Sequence, residues 1–248
     1  MEIYAKKFWL PKRGNTKAEY EDASHFAPDK CRFAVADGAT ETSFSGAWAR
    51  QLVRAFAKGS LSVPIAIEEL QPLQSRWWET NVHRRSMPWY AEEKAKDGAF
   101  AAFIGLELSN ENSESGAENT WRATAVGDSC LIHVRRNEIL KAFPLAESVF
   151  FTNCPKLLCS RPLLNDPGSD VIMAESGSFD RDDIFLLMTD ALACWFFREC
   201  EEGNQPWNIL RGLDTDQRIS FEELISDLRS DGRIRNDDVT LVRIDVRG

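Results

Sequence analysis

The chain predicts an α+β fold on three observations. Short apolar runs at Arg32–Ala36, Ile184–Met188 and Val239–Ile244 have the length and composition of largely buried strands. Segments with apolar residues at helical spacing stand in separate blocks between the groups of strands. With 248 residues and 43% hydrophobic content, the chain can bury one sizeable core, so a single domain over residues 1–248 is expected.

Taken in order, Ile3–Trp9 alternates weakly, as an edge strand does, and Pro11–Asn15 marks a turn before Glu21 and Asp22. The Arg32–Ala36 strand ends in Asp37-Gly38. After it, Ser43 or Ser45 is placed to cap a helix whose apolar positions Trp48, Leu52, Val53 and Phe56 recur at helical spacing up to Gly59. Pro64 suits the first turn of a second helix, with Ile65, Ile67, Leu70, Leu73 and Trp77 carrying an apolar face towards Asn81. Strands are expected at Gly98–Leu108, Trp121–Val126 and Cys130–Val134, paired antiparallel, with a solvated polar loop at Ser109–Asn119. Asn137-Glu138 turns the chain into a hairpin partner at Ile139–Phe143. Residues 146–179 mix Pro155, Pro162, Pro167, Gly168 and Gly177 with apolar residues and read as a variable segment. Helices are expected at Ala191–Cys200, Trp207–Leu213 and Phe221–Leu228 before the last strand.

Acidic residues stand where the hydrophobic runs end: Glu21-Asp22, Asp37-Gly38, Asp190 and Asp237-Asp238. Any one of these is an ordinary turn signal. Gathered together they would be costly, since two like charges about 4 Å apart repel by roughly 4 kcal/mol at an effective dielectric of about 20. A hard divalent cation offsets that cost. Carboxylates with backbone carbonyl and no evident His ligand suit magnesium or manganese, which keep several waters and need few protein ligands; zinc fits less well.

Composition narrows the function. A formal charge of −9 argues against nucleic-acid binding, which needs a basic face. No apolar stretch approaches 18 residues and the first residues lack the apolar core of a secretion signal, so a cytoplasmic protein outside the membrane is expected. The six cysteines contain no Cys-x-x-Cys pair and read as buried thiols. The tryptophans, Trp77, Trp78 and Trp89 among them, read as core packing. Arg76, His83, Arg84 and Arg85 form a local basic cluster that reads as a solvated helix face.

In order, Lys17 with Glu21-Asp22-Ala23, Val35-Ala36-Asp37-Gly38, Ala125-Val126-Gly127-Asp128-Ser129, Leu187-Met188-Thr189-Asp190 and Asp237-Asp238-Val239-Thr240 resemble the successive motifs of metal-dependent serine/threonine protein phosphatases of the protein phosphatase 2C type. Residues 37–46 are similar to bacterial members in particular. The resemblance covers nearly the whole chain and sharpens the fold to a four-layer α-β-β-α sandwich of two antiparallel sheets flanked by helices, with residues 146–179 as a flap beside the site. It implies two magnesium or manganese ions, with Asp37 bridging them, the Gly38 carbonyl on one, Asp190 and Asp237 on the other, and Glu21 with Asp22 on the metal waters. Asp128 would join Asp190 at a third, weaker cation, while as a bare sequence feature it is equally a turn residue between hairpin strands. Asp238, where the family often has Asn, is expected to face away into local hydrogen bonds.

The chain also departs from the family pattern. Lys17 stands where many relatives carry a phosphate-binding Arg, and an ammonium is a point charge in place of a bidentate fork. Ala39 replaces a His found in some relatives, leaving a metal-bound water or His25 to protonate the leaving group. Ala191 replaces the usual Gly, and Cys194 stands where some relatives have a further acidic ligand. The resemblance implies hydrolysis of phosphoserine and phosphothreonine in proteins, in a monomer acting against a cognate kinase or its targets. The alternatives are a weakly active or inactive phosphoprotein-binding module, and a hydrolase of a small phosphorylated metabolite.

Overall fold

The computed structural model describes residues 1–109, 119–152, 154–162, 171–213 and 220–248. The chain begins with β1 (Glu2–Leu10), β2 (Ala23–Ala27) and β3 (Arg32–Gly38), then α1 (Ser45–Lys58), α2 (Gln71–Trp78) and α3 (Trp89–Lys96). Strands β4 (Phe100–Ser109), β5 (Thr120–Val126), β6 (Cys130–Arg135), β7 (Glu138–Phe143), β8 (Leu158–Cys159), β9 (Met173–Ser178) and β10 (Ile184–Met188) follow. Helices α4 (Asp190–Glu201), α5 (Pro206–Arg211) and α6 (Phe221–Ser230) precede the final strand β11 (Val239–Arg247).

These strands form two antiparallel sheets, ordered β1-β11-β10-β6-β7 and β2-β3-β4-β5-β9, with β8 added beside β4. Period-two alternation sorts their side chains. Phe33 and Val35 of β3, Ile104 and Leu106 of β4, Phe185 and Leu187 of β10, and Val242 and Ile244 of β11 meet between the sheets. Their neighbours Ala34, Ala36 and Phe103 face Trp48, Leu52 and Phe56 of α1. On the other sheet Leu186, Met188 and Leu241 face Leu192, Trp195, Leu224 and Ile225 of α4 and α6. Each such large apolar side chain contributes roughly 1.5–3 kcal/mol on burial. The result is the α-β-β-α sandwich.

Several local expectations change. Neither Ser43 nor Ser45 caps α1: the N-cap is Phe44 at φ 60°, with no side-chain cap, and the Ser45 hydroxyl is turned to Glu21 instead. The helix expected from Pro64 starts later, because the Glu69 carboxylate accepts from the Ser62 amide at 2.7 Å and the Ala66 amide at 3.3 Å and holds that stretch as a loop. Only a 3-10 turn at Ile67–Leu70 precedes α2, and a π turn at Glu79–His83 follows it. β5 and β6 are not a hairpin, since they belong to different sheets. The chain crosses between them at Gly127-Asp128-Ser129, where Gly127 has φ +87° and an added Cβ would sit 2.8 Å from that of Ala102. β6 and β7 do form a tight hairpin, with Arg136 and Asn137 both left-handed as a two-residue primed turn requires. Trp89 is 80% exposed and not part of the core; of the six cysteines only Cys130 and Cys159 are buried, Cys31, Cys194 and Cys200 being half-buried and Cys154 exposed. Within 146–179 the chain supplies β8 and β9 to a sheet. The polar loop expected around 110–118 lies outside the described residues.

Candidate active site

Alternation along β3 that sends Phe33 and Val35 between the sheets sends Asp37 to the same side at the strand's end. β2 runs antiparallel beside it with Ala23 opposite Ala36, so the register continued by one residue sets Asp22 against Asp37. β11 delivers Thr240 to this end by the same alternation. Its hydroxyl donates to Asp22 Oδ2 at 2.7 Å and is in close hydrogen-bond contact with the Tyr20 hydroxyl. The Thr240 amide donates to Thr189 Oγ1 at 3.0 Å, and the Thr189 amide donates back to the Thr240 carbonyl at 3.2 Å. That tie seats Asp190 as the first residue of α4, where its Oδ1 accepts from the Ala191 amide at 2.6 Å and the helix N-terminus favours its charge.

A cavity of ≈ 500 Å³ opens here, lined among others by Asp37, Gly38, Asp128, Asp190 and Asp237, with Lys12 and Arg235 as its cations. The fold thus brings Asp37, Gly38, Asp128, Asp190 and Asp237 together from both sheets and the crossing between them. Gly38 is required for this approach: a Cβ would lie 2.8 Å from the Ser45 carbonyl carbon and 2.9 Å from the Glu21 carbonyl oxygen. Glu21 and Asp22 stand behind the cavity wall. Glu21 Oε1 accepts from the Ser45 hydroxyl at 2.5 Å, and its amide donates to Asp238 Oδ2 at 2.7 Å. The other Asp238 oxygen accepts from the Lys12 amide at 2.7 Å, so Asp238 faces away from the cavity and pins two loops. Lys17 and His25 are not in this cavity; both line a neighbouring one. Cys194 lies with Asp190 and Arg235 in a third.

Burial, then the charges of Asp22 and Asp190, push the Asp37 carboxyl well above its usual range. Burial does the same to Asp22, against the Thr240 hydroxyl, which favours the charged form. Burial and then Asp190 raise Asp128 to about 7. Asp190 is raised by burial, opposed by Arg235. Arg235 contacts Asp190 closely and reaches Asp237 Oδ2 at 3.0 Å. Although burial opposes its charge, Asp190, Asp237 and Asp37 hold its guanidinium above the usual value.

The residues present fit a hydrated divalent cation. Asp22 Oδ1 is buried with no donor, and one guanidinium is set against an excess of carboxylates. Among the described residues no group of three or more His, Cys, Asp or Glu side chains is arranged to hold a metal ion by itself. Magnesium and manganese need none, because they keep several waters and take one or two carboxylates. Arg235 and Lys12 were missed from sequence; Arg235 stands two residues before Asp237, and a cation beside an expected ligand was the available signal.

No family model and no curated protein matches the sequence. Solved structures do. The serine/threonine phosphatase PstP/Ppp of Mycobacterium tuberculosis is similar over 100% of both chains at 14% identity and TM-score 0.62. A bacterial serine phosphatase is similar over 100% of this chain and 99% of its own, at 13% identity and TM-score 0.61. The catalytic domain of PstP in complex with two manganese ions covers 99% of this chain and 100% of its own, at 14% identity and TM-score 0.59. The chain therefore has the α+β fold of these serine/threonine phosphatases across its full length.

Proposed function

We propose that the chain is a protein serine/threonine phosphatase of the protein phosphatase 2C type, dependent on two magnesium or manganese ions. One observation carries this: Asp37, Asp128, Asp190 and Asp237, remote in sequence, line one cavity at the shared end of two sheets, in a fold common to such phosphatases. Asp37, with the Gly38 carbonyl, Asp190 and Asp237, would hold the ions, and Asp128 with Asp190 a weaker third. Glu21 and Asp22, behind the cavity wall, would act on the ions only through Gly38 and Asp37, which they pack against. Bound there, a metal pair supplies a nucleophilic hydroxide and neutralises the phosphoryl oxygens.

The chain's own residues do the rest. Asp22 keeps Asp37 in place through the β2–β3 register and is itself held by Thr240. Arg235 and Lys12 present positive charge to a phosphoryl group entering the cavity, and the Arg235 fork suits two of its oxygens. With Lys17 directed elsewhere, these two cations take over the anchoring assigned to it from the motif. The substrate would be a phosphorylated protein, the product of a cognate kinase, and the enzyme a cytoplasmic monomer; among the described residues no helix is long and apolar enough to cross a membrane.

A second reading, an inactive phosphoprotein-binding module, is favoured by the Arg235 pairing with Asp190 and Asp237 in place of a closed ligand cage. Phosphate release from a phosphothreonine peptide separates the two. The enzyme releases phosphate with MnCl2, and loses release with EDTA or as Asp37→Asn. Binding of the peptide without manganese-dependent release establishes the module.

A further inference from the structure

A second cavity, of ≈ 350 Å³, is lined by Lys7, Trp9, Lys17, His25, Arg50 and Arg54 together with Asp22 and Ser24. It opens where the two sheets present their free edges, since Lys7 and Trp9 lie on β1 and Ser24 and His25 on β2, while Arg50 and Arg54 project from α1. The ammonium groups of Lys7 and Lys17 each lie 5.7 Å from the Trp9 ring centroid. None of Lys7, Lys17, Arg50 and Arg54 forms an ion pair or a hydrogen bond with a carboxylate among the described residues. The lone lining carboxylate is Asp22, 2% exposed, whose Oδ2 is already taken by the Thr240 hydroxyl at 2.7 Å. Ser24 Oγ is buried with no hydrogen-bond partner.

Four exposed cations share one concavity on a chain of net charge −9, none in a direct ion pair and only Arg50 acted on by a nearby carboxylate, Glu21. They repel one another: burial, then Arg54, Lys58 and Lys7, holds the His25 imidazole below its usual value. An anion relieves that repulsion, and the cavity lies within the size range of about 300–1,000 Å³ typical of ligand sites. Arg and Lys grouped on three elements with an unpaired hydroxyl match a phosphate dianion, whose oxygens accept several charge-assisted bonds at once. The opening between two edge strands leaves room for an extended chain to carry it.

We infer that this cavity is a second, non-catalytic binding site for a phosphate group carried on a peptide, held by Lys7, Arg50 and Arg54 against the Trp9 face. It needs no metal and no turnover, so it stands or falls apart from the phosphatase proposal.

The test uses the full chain as Asp37→Asn in EDTA, where catalysis plays no part. A singly phosphorylated threonine peptide, its unphosphorylated form and inorganic phosphate are titrated separately by calorimetry. The phosphopeptide is expected to bind more tightly than either control, with affinity falling as KCl rises. Adding Lys7→Ala and Arg54→Ala should weaken it at least tenfold with an unchanged thermal midpoint. Arg54→Gln alone gives an intermediate loss and covers the case in which the combined variant misfolds. Affinity unchanged in both cation variants overturns the site, as does equal binding of the unphosphorylated peptide; inorganic phosphate binding as tightly as the phosphopeptide overturns the peptide carrier.

Discussion

Asp37→Asn in the metal-free protein tests the electrostatics of the main cavity most directly. Asp37, half-buried, and Asp22, buried, face each other across the β2–β3 register, with Asp190 and Asp128 also acting on Asp37. One like-charged pair at about 4 Å costs roughly 4 kcal/mol at an effective dielectric near 20. Asn keeps the shape and removes the charge, but its amide needs partners, at about 1–3 kcal/mol if unmet. The net gain is about 1–3 kcal/mol. For a chain of this size each kcal/mol moves the thermal midpoint by about 2–4 °C, so a rise of roughly 2–12 °C is expected in EDTA at pH 8. Manganese reverses the order. At about 100 times its dissociation constant a bound ion stabilises the parent by about 2.7 kcal/mol, and the variant should lose that shift. Thermal unfolding with EDTA and with MnCl2 reads both effects. A lower midpoint for the variant in EDTA, or a manganese shift of parental size, would refute the carboxylate-cation account.

Arg235→Ala should destabilise the protein in EDTA by about 1 kcal/mol, a small figure because the side chain is 53% exposed, and should tighten manganese binding measured by calorimetry. Asp183 is held at about 2: burial works against its charge, but bonds from Arg135, His133 and the Asp180 amide outweigh it. Because that lies below the ordinary value of 3.8, about 2 kcal/mol of stability is complete above about pH 4 and drains away as pH falls towards 2. Asp183→Asn should flatten that acid limb, as followed by fluorescence at fixed urea. Gly38→Ala forces a methyl to within 2.8 Å of backbone and should cost about 1–3 kcal/mol together with a weakened manganese shift.

The elements readable in sequence were those whose pattern is local. The apolar strands ending at Asp37 and before Asp190 needed only their composition, and the helical spacing of Trp48, Leu52 and Phe56 marked α1. The β6–β7 hairpin was readable, but its turn is Arg136-Asn137, one residue ahead of the Asn137-Glu138 expected, because Glu138 already pairs with Arg135. What failed depended on partners distant in sequence. Nothing near Gly127 says that β5 and β6 join different sheets, and nothing near Pro64 says that Glu69 will hold the stretch in a loop. The ordered motifs pointed to the convergence of Asp37, Asp128, Asp190 and Asp237, but a motif does not give the direction of a long side chain. Lys17 therefore ended against Trp9, and Arg235, outside any motif, took a place among the acids.

Asp37 ends a strand of one sheet with Asp22 just ahead of its neighbour, Asp190 follows and Asp237 precedes strands of the other, and Asp128 sits on the strap that passes between them. The spacing of the acids is thus the alignment of two slabs, set by the interlocking of Phe33, Ile104, Phe185 and Val242. Trimming one of those rings or branches, far from any reacting atom, would let the slabs slide and detune the grip on cations.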